Sequence, residues 1–316
     1  MTTDYDAIVI GTGQSGPPLA ARLADAGLKT AVIERKLFGG TCVNVGCVPT
    51  KTLVASARAA YMARRAADFG VKIDGSIGVD MAKVKARKDE IVRRGNQGIY
   101  RWMTETSNII VHEGHGRFEN AATVRVNGDL LRADRIFINV GARATVPDMP
   151  GIGDVPFLSN STVMELDILP EHLIVIGGSY VGLEFAQIYR RFGSRVTVVE
   201  MKNKLIPRED DDISAAVKEI LEGEGIDVRC AATCLAVERR GNGVAIKLDC
   251  VAPEKEVAGS HLLMAVGRTP NTHDLGLDLA GVKLDPRGFI AVDDQLATNV
   301  PGIWAIGDCN GRGAFT

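Results

Sequence analysis

The chain lacks long hydrophobic runs. No stretch approaches the about 18 apolar residues of a membrane-crossing helix, so no span is expected. The opening Met-Thr-Thr-Asp-Tyr-Asp carries neither a basic segment nor an apolar one. No secretion signal is expected, and the reading is of a cytoplasmic protein. Charge imbalance is also missing: a net charge of −2 over 316 residues gives no electrostatic case for nucleic acid or a membrane as partner. Metal-ligand clusters are absent too. Cys230 and Cys234 are spaced for a ligand pair, but no histidine or second pair accompanies them, so no metal site is expected. His112, His115 and His273 fall in turn-like segments and join no nucleophile, so none is assigned a catalytic role.

What is present is an ordinary globular balance, 46% apolar and 24% charged, with a length that suits two domains. Many of the 35 glycines cluster just after apolar runs. The run YDAIVI reads as a buried parallel strand and leads into Gly11-Thr-Gly13-Gln-Ser-Gly16. A helix follows, with Pro17 and Pro18 tolerable in its first turn, and then a strand, TAVIE, ending at Glu34. The βαβ unit so formed has the pattern of a dinucleotide site. Gly11 permits the tight turn, Gly13 lets backbone approach a pyrophosphate, Gly16 lets helix and strand pack, and Glu34 can accept from ribose hydroxyls.

The pattern recurs about 166 residues on, at Gly177 against Gly11. LIVIGG reads as a strand, GGSYVG as the turn, LEFAQIYRRFG as a helix, and RVTVVE as a strand ending at Glu200. Two such units imply two nucleotide sites. In the second, serine stands at the middle glycine position, so Gly177, Ser179 and Gly182 carry the motif. Glu200 would accept from a 2′-hydroxyl and repel a 2′-phosphate, which favours NADH; Lys202, Lys204 and Arg208 could instead accommodate the phosphate of NADPH. The expected fold class is α/β, with two Rossmann-like nucleotide domains and a small antiparallel β-meander in each. The first meander is expected over 108–140, around the Asn127-Gly128 turn. The expected division is 1–148, 149–271 and a return to the first domain over 272–316.

Between the two units lies GGTCVNVGCVPTK. Cys42 and Cys47 are too far apart along an ideal helix to bridge, so a bridge needs a distorted turn, which Gly46 permits. Pro49 suits a first helical turn and puts Cys47 near a helix N-terminus, with Lys51 adding positive charge one turn on. This segment resembles the active-site segment of the class I pyridine nucleotide-disulfide oxidoreductases, a family that includes dihydrolipoamide dehydrogenase, glutathione reductase and mercuric reductase. AVGRTPN and GIWAIGDC extend the resemblance along the chain, and GGSYVGLEFAQIYRRFGS is similar to mercuric-reductase-like members.

The resemblance implies FAD at the first site and NADH or NADPH at the second, with electrons passing through FAD to Cys42–Cys47. The terminal acceptor would be a small-molecule or protein disulfide, or a metal ion. It makes Cys42 the interchange thiol, Cys47 the thiol facing the flavin, and Lys51 a residue near flavin N5, paired with Glu184. Tyr180 would be the ring that shields the flavin until nicotinamide displaces it. Gly116 and Gly141 would lie at the adenosine end of FAD, and Asp308 at the ribityl or phosphate region. Ser15, Arg35, Gly40 and Thr41 complete the expected FAD contacts; Gly178, Val181 and Gly267 complete those to NAD(P)H. The family's C-terminal domain, with its dimer contact and its His–Glu acid/base pair, is not expected within this chain. The full-length parent is expected to be a homodimer, and the alternative is a flavoprotein that binds both cofactors without complete turnover.

Overall fold

A computed structural model describes residues 2–250 and 254–313. In chain order the first half contains β1 (Thr2–Asp4), β2 (Ala7–Ile10), α1 (Gly16–Asp25), β3 (Thr30–Glu34), α2 (Gly40–Val45), α3 (Cys47–Arg64), α4 (Met81–Glu105), β4 (Ile109–Glu113), β5 (Arg117–Asn120), β6 (Thr123–Val126), β7 (Asp129–Arg132), β8 (Ile136–Ile138) and β9 (Ala142–Ala144). The second half contains β10 (His172–Ile176), α5 (Tyr180–Phe192), β11 (Arg195–Val199), α6 (Asp211–Gly223), β12 (Asp227–Arg229), β13 (Thr233–Arg240), β14 (Gly243–Asp249), β15 (Glu256–Gly259), β16 (His261–Met264), β17 (Arg268–Pro270) and β18 (Ile303–Ala305). None of the described helices is long and apolar enough to cross a membrane.

Two compact units result. The first comprises Met1–Val48, Ile91–Arg143 and Arg268–Thr316, and the second Pro49–Glu90 and Ala144–Gly267. By compactness, residues 49–90 and 144–148 therefore group with the second unit, and 268–271 with the first. The reason is visible in their contacts: Lys88, only 3% exposed, pairs with Glu165 at 2.9 Å, and the Arg64 guanidinium donates to the Phe192 carbonyl at 2.9 Å. Residues 251–253 of the expected second domain and 314–316 of the expected return lie outside the described residues.

The first unit is built on a parallel sheet in the order β18-β8-β2-β3-β4. Strand β2, AIVI, is buried on both faces, and its alternation divides the core. Ile8 and Ile10 face a cluster containing Phe118, Val124 and Leu131, while Val9 faces Ala20 and Ala24 of α1 and Met103 of α4. Phe118 is 1% exposed, so truncating it would cost about 3–5 kcal/mol. Three antiparallel strands, β5-β6-β7, form the meander, and β1 pairs parallel with β7. Asn127 and Gly128 both have positive φ, 50° and 109°, as a two-residue hairpin turn requires. The expectation of a meander over 108–140 is corrected at both ends. Strands β4 and β8 belong to the parallel sheet, pairing with β3 and with β2. A short apolar run such as Ile109–Glu113 has no periodicity that separates the two kinds of pairing.

The second unit repeats the scheme. Its parallel sheet runs β12-β11-β10-β16, and its meander is β13-β14-β15. Ile174 and Ile176 of β10 pack against Val237, Val244 and Ile246 of that meander. The expected apolar strand LLMAVGRTPN is split into β16 and β17, broken at Gly267, whose φ is 137°.

Candidate nucleotide and redox sites

The first glycine turn joins β2 to α1. Gly11 has φ 103°, and a Cβ there would lie 2.3 Å from the Asn139 carbonyl oxygen; one on Gly16 would lie 2.3 Å from the Gly11 carbonyl oxygen. Only glycine fits either position. Gly40, with φ 59°, presses its backbone against Gly13, where a Cβ would come within 2.6 Å of the Gly13 Cα. Helix α1 has no side-chain cap from Ser15 and no acidic residue in its first turn. Its positive end is therefore left for an outside anion. Pro17 and Pro18 carry no N–H, so donors must come from the turn ahead of them. A closely packed glycine turn leading to an uncapped helix end fits a dinucleotide pyrophosphate.

The carboxylate of Glu34 is tied into this turn. Its Oε2 accepts from the Thr12 N–H at 3.0 Å and hydroxyl at 2.6 Å, and its Oε1 from the Lys36 N–H at 2.9 Å, leaving acceptor capacity on Oε1. Arg35 pairs with Asp274 at 3.0 Å, and His115 Nε2 lies 3.1 Å from the Asp274 backbone oxygen. Gly116 is buried against Ile10 and Ile33 at the ends of β2 and β3, where its missing Cβ would meet their methyl groups at 3.4 and 3.3 Å. Gly141 has φ 65° and open space where a Cβ would be. Asp308 lies 3.2 Å from Arg268 Nε.

One residue of this site escaped the sequence reading. Asn139, 6% exposed, follows β8 and donates from Nδ2 to the carbonyls of Gly11 and Gly13, both at 3.1 Å. A Cβ on Gly307 would lie 3.2 Å from Asn139 Oδ1, so the same side chain also abuts the turn before Asp308. The available signal was a polar residue closing the apolar run RIFIN, just ahead of Gly141.

The cysteine segment is two helices and a break. Cys42 and Thr41 lie in α2, Gly46 leaves the helical region with φ −140° and ψ −118°, and Cys47 is the first residue of the 18-residue α3. Both cysteines are half-buried. Two asparagines fix the approach to them: Asn44 Nδ2 donates to the carbonyls of Phe38 and Gly40 at 2.8 and 2.9 Å, and Asn96 of α4 donates to the Phe38 carbonyl at 2.9 Å. The other thiols are set apart. Burial pushes Cys234 up to about 11, its sulfur 3.5 Å from Met149 Sδ, and pushes Cys309 up to about 12.

The second glycine turn copies the first. Gly177 has φ 113°, and a Cβ there would lie 2.3 Å from the Ala265 carbonyl oxygen; one on Gly182 would lie 2.1 Å from the Gly177 carbonyl oxygen. Ser179 caps α5 by position but not with its side chain, and no acidic residue lies in that first turn. Glu200, 8% exposed, accepts from the Gly178 N–H and the Lys202 N–H, both at 2.7 Å. Lys204 is engaged by the Glu209 backbone oxygen at 2.7 Å and by Asp211 at 2.6 Å. Lys51 and Glu184 form an ion pair, and the Tyr180 hydroxyl donates to Glu209. Tyr180 and Val181 are exposed, and the Gly267 carbonyl accepts from the Thr145 N–H at 2.9 Å.

Two parallel-sheet units, each with a glycine turn closed by a carboxylate, and a cysteine pair beside the first turn define an α/β redox protein with two nucleotide sites. The description "Pyridine nucleotide-disulphide oxidoreductase" matches residues 5–315, and the chain belongs to that family of FAD- and NAD(P)H-dependent enzymes. It is 34% identical to a dihydrolipoyl dehydrogenase of Acholeplasma laidlawii, over 99% of this chain and 92% of that protein. It is 36% identical to the probable pyridine nucleotide-disulfide oxidoreductase RclA of Escherichia coli, over 99% of this chain and 67% of RclA. A mercuric reductase of Bacillus cereus is 34% identical, and this chain spans 48% of it. Among solved structures, the Cu(II) complex of the HOCl-induced flavoprotein disulfide reductase RclA superposes with a TM-score of 0.89 at 34% identity, over 99% of this chain and 68% of that one.

Proposed function

We propose that the chain carries reducing equivalents from NADH through FAD to the Cys42–Cys47 pair, and from there to a disulfide or a metal ion. In balance, NADH, one proton and the oxidised cysteine pair become NAD⁺ and two thiols, which then reduce the acceptor. The observation that carries this reading is the start of α3 at Cys47, directly after the Gly46 break that separates it from Cys42. The break takes the two cysteines out of one continuous helix, whose spacing would hold them too far apart to bridge. Bound FAD supplies the carrier that takes up a hydride and hands an electron pair to sulfur.

The protein's own groups do the holding. Gly11, Gly13, Ser15, Gly16 and Gly40 leave room for backbone to reach the pyrophosphate, Thr41 adds a hydroxyl beside them, and Glu34 Oε1 takes a ribose hydroxyl. Arg35, Gly116 and Gly141 line the adenosine end, and Asp308 the ribityl end. Gly177, Gly178, Ser179, Val181, Gly182 and Gly267 do the same for the nicotinamide coenzyme. Lys51, fixed by Glu184, holds a positive charge for the flavin ring, and Tyr180 is the ring that nicotinamide displaces. Functionally the division is 1–148 with 272–316 for FAD and 149–271 for NAD(P)H.

NADH is favoured over NADPH because Glu200 is buried with free lone pairs for a ribose, while Lys204, one of the three basic candidates for a phosphate, is already paired with Asp211. The acceptor is a small-molecule or protein disulfide, or a metal ion, in keeping with relatives named dihydrolipoyl dehydrogenase and mercuric reductase. Chemistry that needs reduced nicotinamide and thiols suits the cytoplasm, and the whole protein is read as a homodimer.

Anaerobic titration of the FAD-loaded protein tests the reading, with NADH and NADPH compared. NADH is expected to raise a long-wavelength thiolate–flavin absorption band. Cys47→Ser should abolish the band and Cys42→Ser should keep it. If wild-type protein gives no band, the electron relay is wrong; the reverse pattern in the variants would exchange the two thiol roles.

A further inference from the structure

After β11 ends, residues 201–209 fold back over the second glycine turn. The Ile206 N–H donates to the Gly178 carbonyl at 2.9 Å, and the Glu209 N–H donates to the Ile206 carbonyl at 2.9 Å. Leu205 is fully buried, and its Cδ2 would lie 2.7 Å from a Cβ on Gly178. Its carbonyl accepts from the buried Ser214 hydroxyl at 2.6 Å. Ile206 takes φ 39°, a left-handed conformation that a β-branched residue adopts only when its surroundings impose it. The strap is therefore pinned at its middle, and it delivers the Glu209 carboxylate to the Tyr180 hydroxyl at the first residue of α5. The Lys204 ammonium holds the Glu209 backbone from the other side, at 2.7 Å. Tyr180 is 39% exposed, whereas Leu205 and Ile206, which pin the strap, are buried. The bond also keeps the phenol protonated: the hydrogen bond to Glu209 raises the Tyr180 pKa, against a small opposing effect of Arg208.

We propose that Glu209 is a positioning residue that latches the Tyr180 ring, so that a nicotinamide must break this hydrogen bond to enter while the adenosine half of the coenzyme need not. The inference rests on the reading of the second glycine turn as the NAD(P)H site and of Tyr180 as the displaced ring. The latch resists ring movement at the nicotinamide end only. Its removal should therefore strengthen binding of ligands that carry nicotinamide and leave the others alone.

The test is calorimetric titration of FAD-loaded, oxidised protein with NAD⁺ and, separately, with ADP-ribose, which lacks the nicotinamide. Glu209→Ala should lower the Kd for NAD⁺ about three- to tenfold, the scale of one partly solvated hydrogen bond to a charge, and leave the ADP-ribose Kd within about twofold. Glu209→Gln keeps an acceptor oxygen and should stay near wild type. Tyr180→Phe should match Glu209→Ala, and the double variant should gain nothing more, because both remove the same bond. An unchanged NAD⁺ Kd in Glu209→Ala, an equal shift for both ligands, or additive single effects would overturn the latch. If wild-type protein binds neither ligand, the nucleotide site is wrong and the latch falls with it; normal ADP-ribose binding with an unmoved NAD⁺ Kd sinks the latch alone.

Discussion

Replacing Asn139 with alanine should loosen the first glycine turn and release FAD. Its Nδ2 donates to two carbonyls at 3.1 Å, but the two losses are unequal. The Gly13 carbonyl also accepts from the Gly16 N–H at 2.8 Å and keeps that partner. The Gly11 carbonyl is wedged against Gly16 and would be left without its side-chain donor. Orphaning this part-buried carbonyl costs about 1–3 kcal/mol, and weakening the second bond adds about 0.5–1.5 kcal/mol. The sum, about 1.5–4.5 kcal/mol, corresponds to a fall of about 2–7 °C in Tm for a protein of this size. Asn139→Asp keeps the shape but turns an acceptor toward two carbonyl oxygens, so it should be worse than alanine. Thermal melts of protein saturated with FAD, together with the flavin-to-protein ratio after gel filtration, measure both effects. An Asn139→Ala protein that melts within about 1 °C of wild type and keeps its flavin would refute the reasoning.

Two further outcomes concern titratable groups. Burial holds the Cys234 and Cys309 thiols up at about 11 and about 12, so both stay protonated at pH 8. Iodoacetamide at that pH should leave them unlabelled in folded protein by peptide mass spectrometry; labelling of either before unfolding contradicts the raised pKa values that burial gives them. Asp89 and Glu165 present the opposite case. Burial alone would raise their pKa values, but hydrogen bonds from Lys85 and Lys88 outweigh it and hold both below the ordinary carboxylate range. A depressed folded-state pKa contributes stability that is complete above the unfolded value and is lost as pH falls through the folded one. Melting temperature should therefore drop from about pH 4 downward, and Lys88→Met should flatten that slope. An unaltered slope in Lys88→Met would show that other carboxylates govern acid stability.

The parts of the fold carried by local pattern were legible in the sequence. Strands buried on both faces, such as Ala7–Ile10 and His172–Ile176, announce themselves as short apolar runs ending in glycine, and the repeat of the whole unit gives the two sites. What escaped depends on pairing at long range. Ile109–Glu113 pairs with Thr30–Glu34, some 80 residues earlier, and nothing in its composition distinguishes an edge of the parallel sheet from a meander strand. The grouping of residues 49–90 with the second unit rests on contacts such as Lys88 to Glu165, which single-residue patterns do not encode. Asn139 and Glu209 act through side chains aimed at turns 126 and 29 residues away, so neither lies inside a motif.

The two glycine turns share one backbone frame and differ in what secures it. Asn139 and Ala265 occupy matching places: the N–H of each donates at 2.8 Å to the last residue of the central strand, Ile10 or Ile176, and the carbonyl of each excludes a side chain from Gly11 or Gly177. Asn139 brings a side-chain donor to the first turn, and the Thr12 hydroxyl adds a second tie to Glu34. Ala265 brings none, and Gly178 stands where Thr12 does, so the second turn keeps the Glu200 tie to the Gly178 N–H and adds a backbone bond from Ile206 of the strap over 201–209. Side-chain ties from the sheet lock a turn in one shape, which suits a cofactor that stays in place through many cycles. A strap anchored at the buried Leu205 and reaching the exposed Tyr180 puts one of the second turn's ties at the surface, which suits a coenzyme that must arrive and depart at every turnover.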